Sequence, residues 1–138
     1  MADFQVSGLD DLLLSLQDVA ALPEDVQDEM LNAQADVVLA AQKKSALSIA
    51  DTGQTARSLR KGKPKTRKGI RSISITFSGS RKRGRSTTRN AEIAFINEYG
   101  KTGMPARNFI RTANEQSAAA STQAAAAVYD QYLQSKGL

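Results

Sequence analysis

The sequence contains neither cysteine nor histidine. Their absence removes thiolate nucleophiles, disulfides, Cys/His zinc sites and the usual general base at neutral pH, so the expectation is a protein that is not an enzyme and takes no cofactor. Aromatic residues make up only 5% of the chain, and the C-terminal part leans on alanine, which buries little area. A thin core, completed in part by neighbouring molecules, is expected. No apolar run approaches the roughly 18 residues of a membrane span. The opening MADFQVSGLDDLLLSL is acidic where a secretion signal would be basic, so the chain reads as soluble, made in a cytoplasm, with no membrane partner.

A further absence is local. Residues 52–91 carry thirteen cations and no acid, residues 1–51 carry ten acids against Lys43 and Lys44, and residues 92–138 balance four against four. The overall charge of +5 therefore conceals an acidic first third and a strongly basic middle. Such a partition attracts either an anionic partner or the acidic face of another copy. The length of 138 residues fits one domain, 1–138, with a single core.

The hydrophobic periodicities predict an α+β fold in the order helix, helix, strand, strand, helix. Its sheet is expected to be small and antiparallel, built on a long-looped hairpin and packed by two N-terminal helices and one long C-terminal helix. Ser7 and Asp10 make a capping-box pattern ahead of Leu9, Leu13, Leu16 and Ala20, which predicts a helix near 8–21. Pro23 at a first helical position, followed by Glu24, Asp25, Asp28 and Glu29, predicts a second helix over about 23–48. Its expected buried stripe is Val26, Met30, Ala33, Val37, Ala40 and Ala41.

Gly53, Gly62, Pro64 and Gly69 break the pattern and predict a basic loop at about 54–69, with a turn of helix near Thr55 to Leu59. Ile73, Ile75 and Phe77 alternate with polar residues as a half-buried strand does, and NAEIAFINEYG reads the same way. The two strands are joined by a second basic loop at 78–90. Beyond it, Gly103 and Pro105 keep the chain irregular until Asn108 caps a last helix over about 109–135.

The basic segments hold Arg57, Arg60, Lys61, Lys63, Lys65, Arg67, Lys68, Arg71, Arg81, Lys82, Arg83, Arg85 and Arg89. They could face solvent, a protein interface or the phosphates of a nucleic acid. They also lack aromatics for base stacking and sit on no recognition helix, which excludes sequence-specific reading. Basic hairpin tips blunt a sheet edge as well, a structural use of the same residues. Neither SGSRKRGRS nor KGKPKTRKG has phosphate-loop spacing. The acid pairs Asp10/Asp11, Glu24/Asp25 and Asp28/Glu29 fall at helix starts, where dipole complementarity explains them.

The stretch NEYGKTGMPARNFIRTA resembles the signature of the tail-completion, or neck, family of long-tailed bacteriophages. Glu98, Tyr99 and Gly100 match its acid, aromatic and glycine at a strand end. Pro105, Ala106, Arg107, Phe109 and Ile110 match its Pro-Ala-Arg-Pro-Phe-like run, with Asn108 where the family usually has a second proline. Upstream, Thr52, Gly53, Arg57 and Ser58 resemble its Thr-Gly element, although the apolar residue arrives late, at Leu59, and VSGLDDLLLSL resembles its opening.

The resemblance implies a virion protein of the head-to-tail connector, a homo-oligomer forming a sixfold ring that joins the tail to the DNA-filled head. Its partners would be neighbouring connector, terminator or tail-tube proteins, with genomic DNA passing through. A tail terminator ring and a small basic nucleic-acid-binding protein are the alternatives. An assembly loop is then expected at Glu98, Tyr99, Gly100, Gly103, Pro105, Arg107 and Phe109, with Arg107 a candidate for an ion pair with an acid of the same or a neighbouring subunit. A lumen lined only by strong cation sites would retard DNA, which favours protein contacts for at least one basic segment.

Overall fold

In the computed structural model, residues 22–49 and 53–137 are described; the helix expected at 8–21 lies outside them. The α+β class, with its small antiparallel sheets and long C-terminal helix, holds. The elements are α1 (Glu24–Ser48), α2 (Gln54–Ser58), β1 (Leu59–Lys61), β2 (Lys65–Arg67), β3 (Ile70–Ser72), β4 (Ile75–Phe77), β5 (Ser80–Arg83), β6 (Ser86–Arg89), α3 (Asn90–Tyr99) and α4 (Phe109–Ser135).

The frame is the antiparallel pair α1 and α4. At one end Ser45 Oγ donates to the Phe109 carbonyl (2.7 Å) and Gln42 Nε2 donates to Asn114 Oδ1 (2.8 Å); at the other, Val26 lies beside Val128 and Tyr132. The buried residues of α4 are Phe109, Ala113, Ser117, Ser121 and Ala125. They form an unbroken i+4 ridge, and its small members let the helices approach closely. On α1 the buried row is Val26, Met30, Leu31, Gln34, Ala35, Val38, Gln42 and Ala46. The expected stripe agrees at Val26 and Met30 and then departs, because the helix buries Gln34 and Gln42 while Ala40 faces solvent. Pro23 stands one residue outside α1, its carbonyl accepting the N–H groups of Val26 and Gln27.

The turn of helix expected near Thr55 to Leu59 is α2, and the rest of the loop expected at 54–69 is instead one arm of a long hairpin. β1 pairs with β4 and β2 with β3, both antiparallel. Gly62–Pro64 opposes only Ile73 and Ser74 between the ladders, so the first arm carries one extra residue, as a β-bulge does. The turn places Lys68 at φ 52 and Gly69 at φ 79, the positive angles a type I′ turn requires at both central positions. The apolar alternation survives, with Ile73 and Ile75 buried and Phe77 packed on the core.

Two further expectations are corrected. Residues 78–90 contain a tight hairpin, β5 on β6, turning at Gly84 (φ 64). NAEIAFINEY is a helix, α3, not a strand paired to 70–77. Its buried residues, Asn90, Ile93, Ala94 and Glu98, follow helical spacing, and Gly100 at φ 79 and ψ 179 ends it in a backbone region essentially open to glycine alone.

Candidate functional site

The junction between α3 and α4 gathers the residues of the expected assembly loop. Gly100 donates its N–H to the Ile96 carbonyl (2.7 Å) and turns the chain back. A Cβ there would stand 2.7 Å from both the Ala106 nitrogen and the Met104 oxygen, closer than real contacts allow. Lys101 and Met104 exchange backbone hydrogen bonds of 2.9 Å around a turn with Gly103 at φ 81. The returning chain then donates from Arg107 to the Asn97 carbonyl (2.8 Å) and from Asn108 to the Glu98 carbonyl (3.2 Å).

Glu98 is buried and caps α4 from outside. Oε2 accepts the N–H of Ile110 (2.7 Å) and Oε1 that of Arg111 (3.1 Å), so a negative group meets unpaired donors at the positive helix end. Asn108, expected to cap by its side chain, makes no such bond and sits at φ 49. That left-handed conformation is open to asparagine but closed to proline, whose ring fixes φ near −65°. Arg107 Nη1 donates to the Ile49 carbonyl (3.0 Å), tying the loop to the end of α1. Phe109 is buried edge-on against Phe77, ring centres 6.1 Å apart, while Pro105 is exposed.

Beside this junction, α3, β4 and the start of α4 enclose an open groove of about 760 Å³. Ile75, Phe77, Ala94 and Ile110 line it together with Phe95 and Tyr99, whose rings lie 4.8 Å apart. Phe95 is 60% and Tyr99 64% exposed, an unusual placement for a chain this poor in aromatics. Periodicity could have found the groove only if α3 had been read as a helix.

Twelve of the thirteen cations separate into two groups. Several are engaged inside the chain. Arg71 donates to Asp28 through Nε (2.7 Å) and Nη2 (2.9 Å) and lies 3.1 Å from Glu24. Lys61 pairs with Asp36 (2.7 Å) and Arg89 with Glu92 (3.1 Å). Arg81 donates to Asn90 Oδ1 and Thr55 Oγ1, both at 2.9 Å, bracing the second hairpin against α2. Arg60 folds back on the Arg57 and Leu59 carbonyls, and the Arg57 guanidinium lies against Gly53. The acidic helix and the basic middle therefore neutralise each other partly within one chain.

The other group is exposed and finds no ion-pair or hydrogen-bond partner among the described residues: Lys63, Lys65, Arg67 and Lys68 around the first hairpin tip, Lys82 and Arg85 on the second. Arg83 lies on β5.

The carboxyl of Asp28 is held below its ordinary value, chiefly by the hydrogen bond from Arg71, with burial opposing and the Arg71 charge assisting. Among the described residues no cluster of carboxylates could hold a metal ion, and no helix is long and apolar enough to cross a membrane. The chain matches no protein-family description, no curated protein and no solved structure.

Proposed function

We propose that the chain is a structural virion protein of a phage head-to-tail connector, acting by ring assembly and by docking tail to head, with no catalytic step. One observation carries the reading: the residues of the neck-like signature work as a single device. Glu98 caps α4, Gly100 permits the close return, Arg107 ties the loop to α1, and Phe109 anchors the helix under the sheet. The same device holds Phe95 and Tyr99 out at the surface beside an apolar groove, as an interaction surface requires.

The mass of the purified chain in solution, by light scattering at physiological salt, tests this directly. A hexamer with little affinity for DNA is the expected result. A second reading rests on the unengaged cations of the two hairpin tips: a small protein that binds nucleic acid through phosphates alone. It predicts a monomer whose DNA affinity falls steeply with salt.

A further inference from the structure

We infer that the basic tip of the first hairpin, residues 67–70, docks in the groove between β4, α3 and α4 of a second copy of this chain. The inference rests on the ring reading above and gives it a contact. Among the described residues, the large apolar side chains that are more than half exposed are Leu47, Ile70, Phe95 and Tyr99. Phe95 and Tyr99 stand in the groove, and Ile70 opens β3 directly after the turn at Lys68 and Gly69. The chain thus displays an apolar hollow and an apolar knob, each left open to solvent by its own fold.

Charge matches the two surfaces. The lining of the groove carries Glu98 and Glu115 against one cation, Arg111. The hairpin tip carries Lys63, Lys65, Arg67 and Lys68, exposed and unengaged among the described residues. Arg67 lies directly across the ladder from Ile70, so seating the knob brings a guanidinium to the Phe95 and Tyr99 rings, whose faces attract cations. Complementary charge around an apolar contact selects which surfaces meet.

Reach decides between the chain's own groove and a neighbour's. Ile75 lines the groove, and Ile70 stands five residues before it on the same hairpin arm, about 16 Å away at 3.3 Å per residue. The arm cannot fold back, because Arg71 is locked to Asp28 by hydrogen bonds of 2.7 and 2.9 Å and Lys61 to Asp36 at 2.7 Å. Along α1, Asp28 beside the tip and Gln42 at the groove are about 21 Å apart at 1.5 Å per residue. Knob and hollow therefore lie toward opposite ends of the same helix. Each can be filled only by another copy, and a contact between two different patches joins identical subunits head to tail, as a ring requires.

The absence of native cysteine permits a clean test on the full chain. Lys68→Cys and Ala91→Cys are made in separate chains, mixed, and treated with a short bis-maleimide; Ala91 lines the groove, and both substitutions leave Ile70, Phe95 and Tyr99 in place. Mass spectrometry is expected to find a peptide joining position 68 of one chain to position 91 of the other, and none when Lys82→Cys on the second hairpin replaces Lys68→Cys. No link at 68, or an equal link from 82, overturns the docking. Ile70→Asp and Phe95→Asp supply the second readout. Each alone is expected to be monomeric by light scattering, with a urea midpoint close to the parent's because both side chains are exposed. Mixed in equal amounts they are expected to form dimers, since the intact tip of the Phe95→Asp chain meets the intact groove of the Ile70→Asp chain; a mixture that stays monomeric counts against the docking. If both variants keep a hexameric mass, the docking fails and the ring survives, whereas a monomeric parent that gives no link overturns both.

Discussion

The carboxylate of Glu98, at the end of one helix, accepts the N–H of Ile110 at the start of the next, 2.7 Å away. The pair sets the angle between α3 and α4 and leaves no room for a wandering loop between them. Glu98→Ala is expected to lower stability by about 2 kcal/mol, as loss of a buried charge-assisted cap does, and Glu98→Gln by roughly half of that. Urea unfolding midpoints measure both; equal stability of Glu98→Ala and the parent would contradict the cap.

Gly100 offers a comparison within one molecule. Gly100→Ala meets backbone at 2.7 Å with φ at 79°, whereas Gly69 has the same φ with nothing within 4 Å. The expected losses are about 3 kcal/mol or more for Gly100→Ala and about 1 kcal/mol for Gly69→Ala. Thermal melts of the two variants test the ordering.

The frame helices were legible because their signals agree at several levels: acids after Pro23 for α1, and an alanine-rich run with high intrinsic propensity for α4. The segment 91–99 misled because Ile93 and Phe95 alternate with Glu92 and Ala94 as in a strand, while Asn90, Ile93, Ala94 and Glu98 also fit a helix. Apolar residues on both supposed strand faces, with glycine following, were the signal for the second choice. Gln34 and Gln42 hid the true face of α1, since a core row is sought among apolar residues. Which cations are engaged was not legible at all, because Arg71 and Asp28 meet only through the fold.

The Asp28–Arg71 pair makes stability depend on pH with a definite sign. Because the folded value of Asp28 lies below its ordinary one, its contribution is present above the unfolded carboxylate value of about 3.9 and is lost as pH falls through the lower folded value. Asp28→Asn should therefore be less stable than the parent at pH 7, with the gap closing as pH drops below about 4. Urea titrations at stepped pH provide the check, and a gap that widens in acid would refute the assignment.

Arg81 and Lys82 are neighbours with opposite expected behaviour. Arg81→Ala leaves Asn90 and Thr55 without their donor and should cost about 1–2 kcal/mol. Lys82→Ala, like Arg85→Ala, should stay within about 0.5 kcal/mol of the parent and change only the salt-dependent binding of an anionic partner. Unfolding curves beside DNA titrations separate the two roles.

Gln34 is fully buried in the helix interface, and neither amide atom finds a partner among the described residues. Gln34→Leu removes two unpaired polar atoms at nearly constant volume and should stabilise the chain by about 1 kcal/mol or more. A lower melting temperature would indicate that the amide is satisfied.

The long helices that hold the molecule together, α1 and α4, are separated in the sequence by every other described element. On the ribosome, α1 emerges with one side bare and waits until residues 109–125 follow. The β-hairpins form early, locally and cheaply, but the interior closes only across a loop of some sixty residues, an entropic delay that slows folding. A nascent chain arrested near residue 100 presents an unfinished helix face to its surroundings, and a chaperone that shields this protein would act in that interval.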